Sequence, residues 1–313
     1  MLLPCEQGQE NGCALQTSFA RQGLKAGLEL VRELGFNPMA FGFIAATDGH
    51  NAAPGDAEEW DFVGKVGAAS SPAVRRLRTR EGQKAHNQIL MDHGSGGLAA
   101  VWAEENTRDS LFDAMKRREA YATSGPRITL RFFAGWGFSS AIVHDRNPVK
   151  QATAGGVPMG GVLTPGAGSD ESPTFFVWAA ADWMSAPLQR IQVVKGWIDA
   201  DGKTHESVHD VVCADGLEVD PQTRRCPDNG AGVDLTTCET IGEKGAGQLM
   251  AAWQDEDFDP EQDAFYYVRA LQNPTCRWST YDAIRLGREP DPRVPATIRE
   301  RAWSSPIWID PSA

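Results

Sequence analysis

Phe41-Gly42-Phe43-Ile44-Ala45-Ala46-Thr47-Asp48-Gly49-His50 is the stretch on which the reading of this chain turns. Residues 41–46 are apolar or small, the texture of a strand covered on both faces in an α/β domain. The run then stops on a carboxylate and an imidazole two positions apart. Such folds keep their chemistry off the carboxyl ends of their strands. Asp48 and His50 are both donors that suit a divalent metal, so they are the candidate metal ligands. The competing reading is an Asp that caps a turn and a His satisfied by backbone.

Upstream, Phe19, Leu24, Leu28, Val31 and Leu34 keep helical spacing, with Thr17 or Ser18 as the capping hydroxyl and Gly35 as the stop. Asn37-Pro38 resets the backbone to extended geometry. Downstream, residues 51–100 read mostly as loop, with a basic run over residues 75–80 and a backbone-approach segment at Gly94-Ser95-Gly96-Gly97. That segment is not a phosphate loop, since no Gly-Lys-Ser/Thr follows it. Leu98–Trp102 predicts a short strand. A helix follows over Arg108–Ala120, capped by Asn106 or Thr107, with Leu111, Phe112 and Met115 as its buried stripe. After Tyr121 the texture becomes β-type runs between Gly/Pro loops: Ile128–Phe133, Thr174–Trp178, Leu188–Trp197, Ala264–Leu271 and Ile307–Ile309. The fold class is α/β plus all-β: an α/β part over residues 1–125, then an antiparallel β-sandwich over residues 126–313 with a long Cys-containing loop.

The chain has 313 residues and a formal charge of −12. That balance excludes a nucleic-acid-binding face, which needs a basic patch. No apolar run approaches the roughly 18–20 residues of a membrane span, and no export signal is legible at Met1. Six cysteines lie at 5, 13, 213, 226, 238 and 276, the later ones around a loop rich in Gly, Pro, Asp and Asn. Disulfides, buried free thiols and a zinc cluster all remain open, with zinc last because no C-x-x-C pair occurs. Disulfides imply a periplasmic or extracellular location.

Other groups are weaker candidates. Glu104 and Glu105 follow the Leu98–Trp102 strand, as water-activating carboxylates or as carboxylates favoured at a helix start. Arg127 is either an anion clamp or an ion-pair partner. His86 and His93 could complete a metal site only if their loop folds back. His144, His205 and His209 belong to the sandwich, and Asp215, Asp220, Asp228 and Asp234 lack EF-hand spacing.

Residues 41–55, with Thr47-Asp48-Gly49-His50 at their centre, resemble a late metal-binding motif of the polymerase-and-histidinol-phosphatase (PHP) superfamily. Trp102–Arg108, Ala114–Glu119 and Tyr121–Arg127 are similar to one bacterial PHP-related family described as a domain of unknown function. Tyr266–Ala270 and Trp303–Trp308 resemble its C-terminal β-region. The resemblance implies a partial PHP-like (β/α) barrel before the sandwich and a metal-dependent hydrolase of phosphate esters. Zinc or manganese would activate water, and the substrate would be a small anionic ester. The family's opening Asp-x-His-x-His segment is missing here. The resemblance therefore implies the C-terminal part of a longer protein, or a homo-oligomer that completes the barrel. The rival expectation is a non-catalytic β-sandwich module serving binding or structure.

Overall fold

Alternation sets the sheets. In Leu188–Ile198 and Ala264–Gln272, successive side chains enter two different apolar layers, so neither strand has a solvated face. The computed structural model describes residues 15, 18–65, 72–78, 91, 93–165 and 171–311. In chain order these form β1 (Leu98–Val101), β2 (Ala120–Thr123), β3 (Thr129–Gly135), β4 (Val157–Pro158), β5 (Val162–Leu163), β6 (Thr174–Ala180), β7 (Leu188–Ile198) and β8 (Thr204–Cys213). There follow β9 (Gly232–Val233), β10 (Thr240–Ile241), β11 (Gln248–Gln254), β12 (Ala264–Gln272), β13 (Thr275–Cys276), β14 (Thr297–Ile298), β15 (Arg301–Ser304) and β16 (Ile307–Ile309).

The larger sheet is centred on β12. One edge of β12 pairs with β7, which pairs with β8; the other carries β15 and β16 end to end. Beyond β15 lie β2 and then β1. The smaller sheet runs β11-β6-β3-β4. Leu130, Phe132, Phe175 and Val177 of the smaller sheet meet Ile191, Val193, Tyr266 and Val268 of the larger in one core. That is a β-sandwich. The helix Ala20–Leu34 covers the opposite face of the larger sheet, where Leu24 and Leu28 pack with Val194, Ile198, Phe265 and Tyr267.

Several expectations change. Phe41–Ala46 forms no strand; it is an extended strap between the first helix and the larger sheet. Phe41 and Phe43 join the helix layer, while Ile44 is 67% exposed. Isolated bonds rather than a ladder hold the strap, among them Phe43 N to Ser305 Oγ at 2.9 Å, Gly97 N to Ala46 O at 3.0 Å, and Arg118 Nη1 to Ala40 O at 2.8 Å. No barrel closes among the described residues. A (β/α) barrel needs parallel strands, and among the described strands only β16 and β5 pair in parallel. β1 and β2 precede residue 126 yet belong to the larger sheet, so residue 125 does not separate two sheets.

The first helix has Phe19 at its N-cap with no side-chain cap, whereas Gly35 ends it in the left-handed region as expected; Thr17 lies outside the described residues. The helix Arg108–Lys116 is capped by Thr107, whose side chain accepts from Ser110 N. Its stripe is not buried: Phe112 and Met115 are exposed, and Ala114 alone is buried.

Beside the sandwich, Phe62, Met91, Trp278 and Val294 build a small separate core. The buried Arg76–Asp282 pair, bidentate at 2.6 and 2.7 Å, ties the one-turn helix Ala73–Arg76 to the helix Trp278–Arg285. Cys213–Cys226 and Cys238–Cys276 are disulfides; Cys5 and Cys13 lie outside the described residues. Among the described residues no helix is long and apolar enough to cross a membrane.

Candidate functional site

The end of the strap presents Asp48 and His50. Asp48 has a left-handed backbone, φ 51°, which turns the chain sharply after Thr47. Gly96 crosses so closely that a Cβ there would lie 2.5 Å from Thr47 Cα, with its own φ at +106°. Gly97 likewise lies against Thr123 O, so the Gly-rich segment is indeed a place of close backbone approach. Beyond the turn, His50 N donates to Lys65 O at 2.6 Å and Asn51 Nδ2 to Gly64 O at 2.7 Å. The backbone is thus fixed while the two side chains face solvent, 82% and 70% exposed, with Asp48 Oδ1 and His50 Nε2 3.6 Å apart. Their donor chemistry suits two positions on a divalent cation. Among the described residues, no group of three His, Cys, Asp or Glu side chains is placed to hold one.

The other predicted groups are not gathered there. Glu104 and Glu105 are exposed before the helix Arg108–Lys116. Glu105 Oε1 accepts from Thr107 Oγ1 at 3.1 Å and its backbone N donates to Ser110 Oγ, which fits the helix-start reading. Arg127 is an ion-pair partner: its guanidinium binds Glu58, and its backbone N donates to Asp182 Oδ2 at 2.7 Å. His86 lies outside the described residues. The His93 carbonyl accepts from Arg277 and from Trp278 Nε1. His205 pairs with Asp199 at 2.6 Å and stacks on Trp197, and His209 bonds Ser207 at 2.8 Å, both within β8. In the Cys-containing loop, Asp220 and Asp234 accept backbone N–H groups of their own turns, and Asp215 accepts from Gly245 N.

Two buried carboxylates escaped the sequence reading. Glu59 accepts from Ser95 Oγ at 2.9 Å and Trp278 N at 2.6 Å. Glu300 accepts from Ser124 Oγ through Oε2. Burial pushes both carboxyls up; Glu300 reaches about 8, with the charge of Glu59 adding to the effect of burial. Both line a cavity of about 240 Å³ whose walls include Trp60, Pro126, Met184 and Tyr281. No local signal distinguishes them. Glu58-Glu59 reads as an acidic loop, and Glu300 sits between two arginines as an ordinary solvated charge.

No curated protein matches the chain. The family model described as "Protein of unknown function (DUF3604)" matches residues 1–311, and the chain therefore belongs to the DUF3604 family.

Proposed function

We propose that the chain is a metal-dependent hydrolase component that contributes Asp48 and His50 to a divalent-metal centre acting on phosphate esters. The observation that carries this reading is the turn itself. A left-handed Asp48, braced by Gly96 and the Lys65 carbonyl, holds a carboxylate and an imidazole side by side in solvent. An exposed pair on a fixed backbone is half of a ligand set with little ordering cost left. The motif's resemblance to the PHP superfamily supports the same assignment. Zinc or manganese held there would supply Lewis-acid polarisation of the ester. Two side chains fill only part of the roughly four to six positions such ions take. A second copy of the chain is the proposed source of the remaining donors. Glu104 and Glu105 stand at the start of the helix Arg108–Lys116 and are given no role in this centre, and Arg127 already has an anionic partner in Glu58. The two disulfides fit a protein of an oxidising, extracytoplasmic compartment.

The test is elemental analysis of the purified chain after incubation with zinc or manganese, beside an Asp48→Ala/His50→Ala variant of unchanged circular dichroism. Near-stoichiometric metal in the parent, lost in the variant, is expected, with hydrolysis of p-nitrophenyl phosphate or its diester following the metal. Equal metal in both proteins, or none in either, overturns the proposal. It would favour the second reading, a non-catalytic sandwich module. The absence of a third donor among the described residues supports that alternative.

A further inference from the structure

Arg269 of β12 is a cation that the fold leaves unmatched. Along this strand Tyr266, Val268 and Ala270 enter the sandwich core, whereas Phe265 and Tyr267 join the helix layer. Arg269 alternates with the core residues and stands on the helix side. There it lines a groove of about 340 Å³ between the start of the first helix, the strap at residues 43–45 and the larger sheet. Phe19, Phe43, Tyr267 and Trp303 give the groove aromatic walls. Among the described residues, no oxygen accepts a hydrogen bond from the Arg269 guanidinium. Its Nε is closed off without a partner, while Nη1 and Nη2 stay open to solvent and are the reachable donors. The neighbouring cations are engaged elsewhere: Arg21 with Glu206, Arg225 with Asp210, and Arg301 with the Arg299 carbonyl. Burial pushes the Arg269 pKa down, and these three cations add to that against the opposing effect of Tyr267. The first helix brings a further positive end, since Phe19 supplies no side-chain cap and no acidic residue stands in the first turn.

We infer that this groove binds a small aromatic monocarboxylate, its carboxylate accepting from Nη1 and Nη2 of Arg269 and its ring lying among Phe19, Phe43 and Trp303. A guanidinium fork matches a planar carboxylate through two parallel N–H···O bonds. One unmatched cation calls for one negative charge, so a monoanion fits better than a phosphate dianion. No Asp or Glu lines the groove to repel it. Its volume stands at the small end of the roughly 300–1,000 Å³ of ligand clefts, and apolar walls around one polar anchor are their usual composition. In a chain of formal charge −12, a locally positive groove also selects against the chain's own surface as a partner. The inference is independent of the metal reading, because no His, Cys, Asp or Glu is among the lining residues.

The experiment is calorimetric titration of the whole chain, disulfides intact and EDTA present, with sodium phenylacetate at constant ionic strength. Phenylacetamide is the neutral isostere and acetate the anion without a ring. Saturable phenylacetate binding is expected, with both controls weaker by about tenfold or more. Arg269→Met keeps the apolar stem and should weaken binding by about tenfold or more, whereas Arg108→Gln, at an exposed position on another helix, should leave it unchanged. Ile44 lines the groove and is 67% exposed, so Ile44→Glu places a carboxylate of the chain's own beside Arg269. It should abolish binding while circular dichroism stays that of the parent. Equal binding of phenylacetamide, undiminished binding by the folded Arg269→Met protein, or no binding by the parent chain overturns the inference. So does a concentration-dependent dimer in sedimentation that Ile44→Glu disperses and phenylacetate does not, which would give the groove to a second copy.

Discussion

Replacing Glu300 by Gln isolates the energetic consequence of burying a carboxyl group with one oxygen unmatched. The folded-state value is raised from the ordinary 4.5 to about 8, first by burial and then by Glu59. Between those two values the native protein keeps a proton that the unfolded chain has released. Stability is therefore fully present below about pH 4.5 and is lost as pH rises towards 8. At about 1.4 kcal/mol per unit, the full loss is about 5 kcal/mol, and the slope inside the window is at most about 1.4 kcal/mol per pH unit. Gln cannot titrate. Its amide N–H group inherits the unmatched position of Oε1, which costs about 1–3 kcal/mol at every pH. Urea unfolding without reductant, at each unit from pH 5 to 9, should give curves that cross. The variant should be the less stable protein at pH 5 and the more stable at pH 9. Other titrating groups, such as the buried His209 whose value is lowered, act on both proteins and cancel in the difference. Parallel curves would refute the argument that Glu300 is buried with its proton in the folded chain.

Two further perturbations test how the site's surroundings are held. Asp282→Ala leaves Arg76 buried without its bidentate carboxylate, and should cost about 3–5 kcal/mol in urea unfolding; a loss below about 1 kcal/mol would show that the pair does not anchor the small core. Cys238→Ser/Cys276→Ser opens a bridge of sequence separation 38 beside the cavity, and should cost about 3–4 kcal/mol by loop entropy; unchanged thermal melting would contradict it.

How far the sequence could be read depended on the range of the physics involved. The mostly antiparallel β content was legible, because Leu188–Trp197 and Ala264–Leu271 are long β-type runs, but their alternation suggested one solvated face, whereas both faces are covered. Local stops were legible too, as with Gly35 after the first helix and Thr107 before the helix Arg108–Lys116. Phe41–Ala46 misled because apolar content alone does not specify sheet pairing. Phe41 and Phe43 needed a hydrophobic surface, and the first helix together with the larger sheet supplied it without a ladder. The stripe of the helix Arg108–Lys116 failed for the converse reason, since correct periodicity does not supply a surface to cover Phe112 and Met115. Asp48 and His50 are adjacent, as their spacing suggested, but nothing in the spacing indicated the left-handed turn that exposes them. Glu59 and Glu300 were invisible, because their burial is created by residues 241 positions apart in the chain folding onto one cavity.

The central claim is that the Asp48/His50 turn is a metal-binding half-site, and titration with cobalt(II) under visible absorption addresses it most directly. Cobalt reports its ligands through d–d bands, so His50 coordination is seen without assuming a substrate. The account expects a saturable spectrum in the parent chain, lost in both Asp48→Ala and His50→Ala while their circular dichroism stays unchanged. Cobalt spectra that are identical in the parent and both variants, or absent from all three, would contradict it.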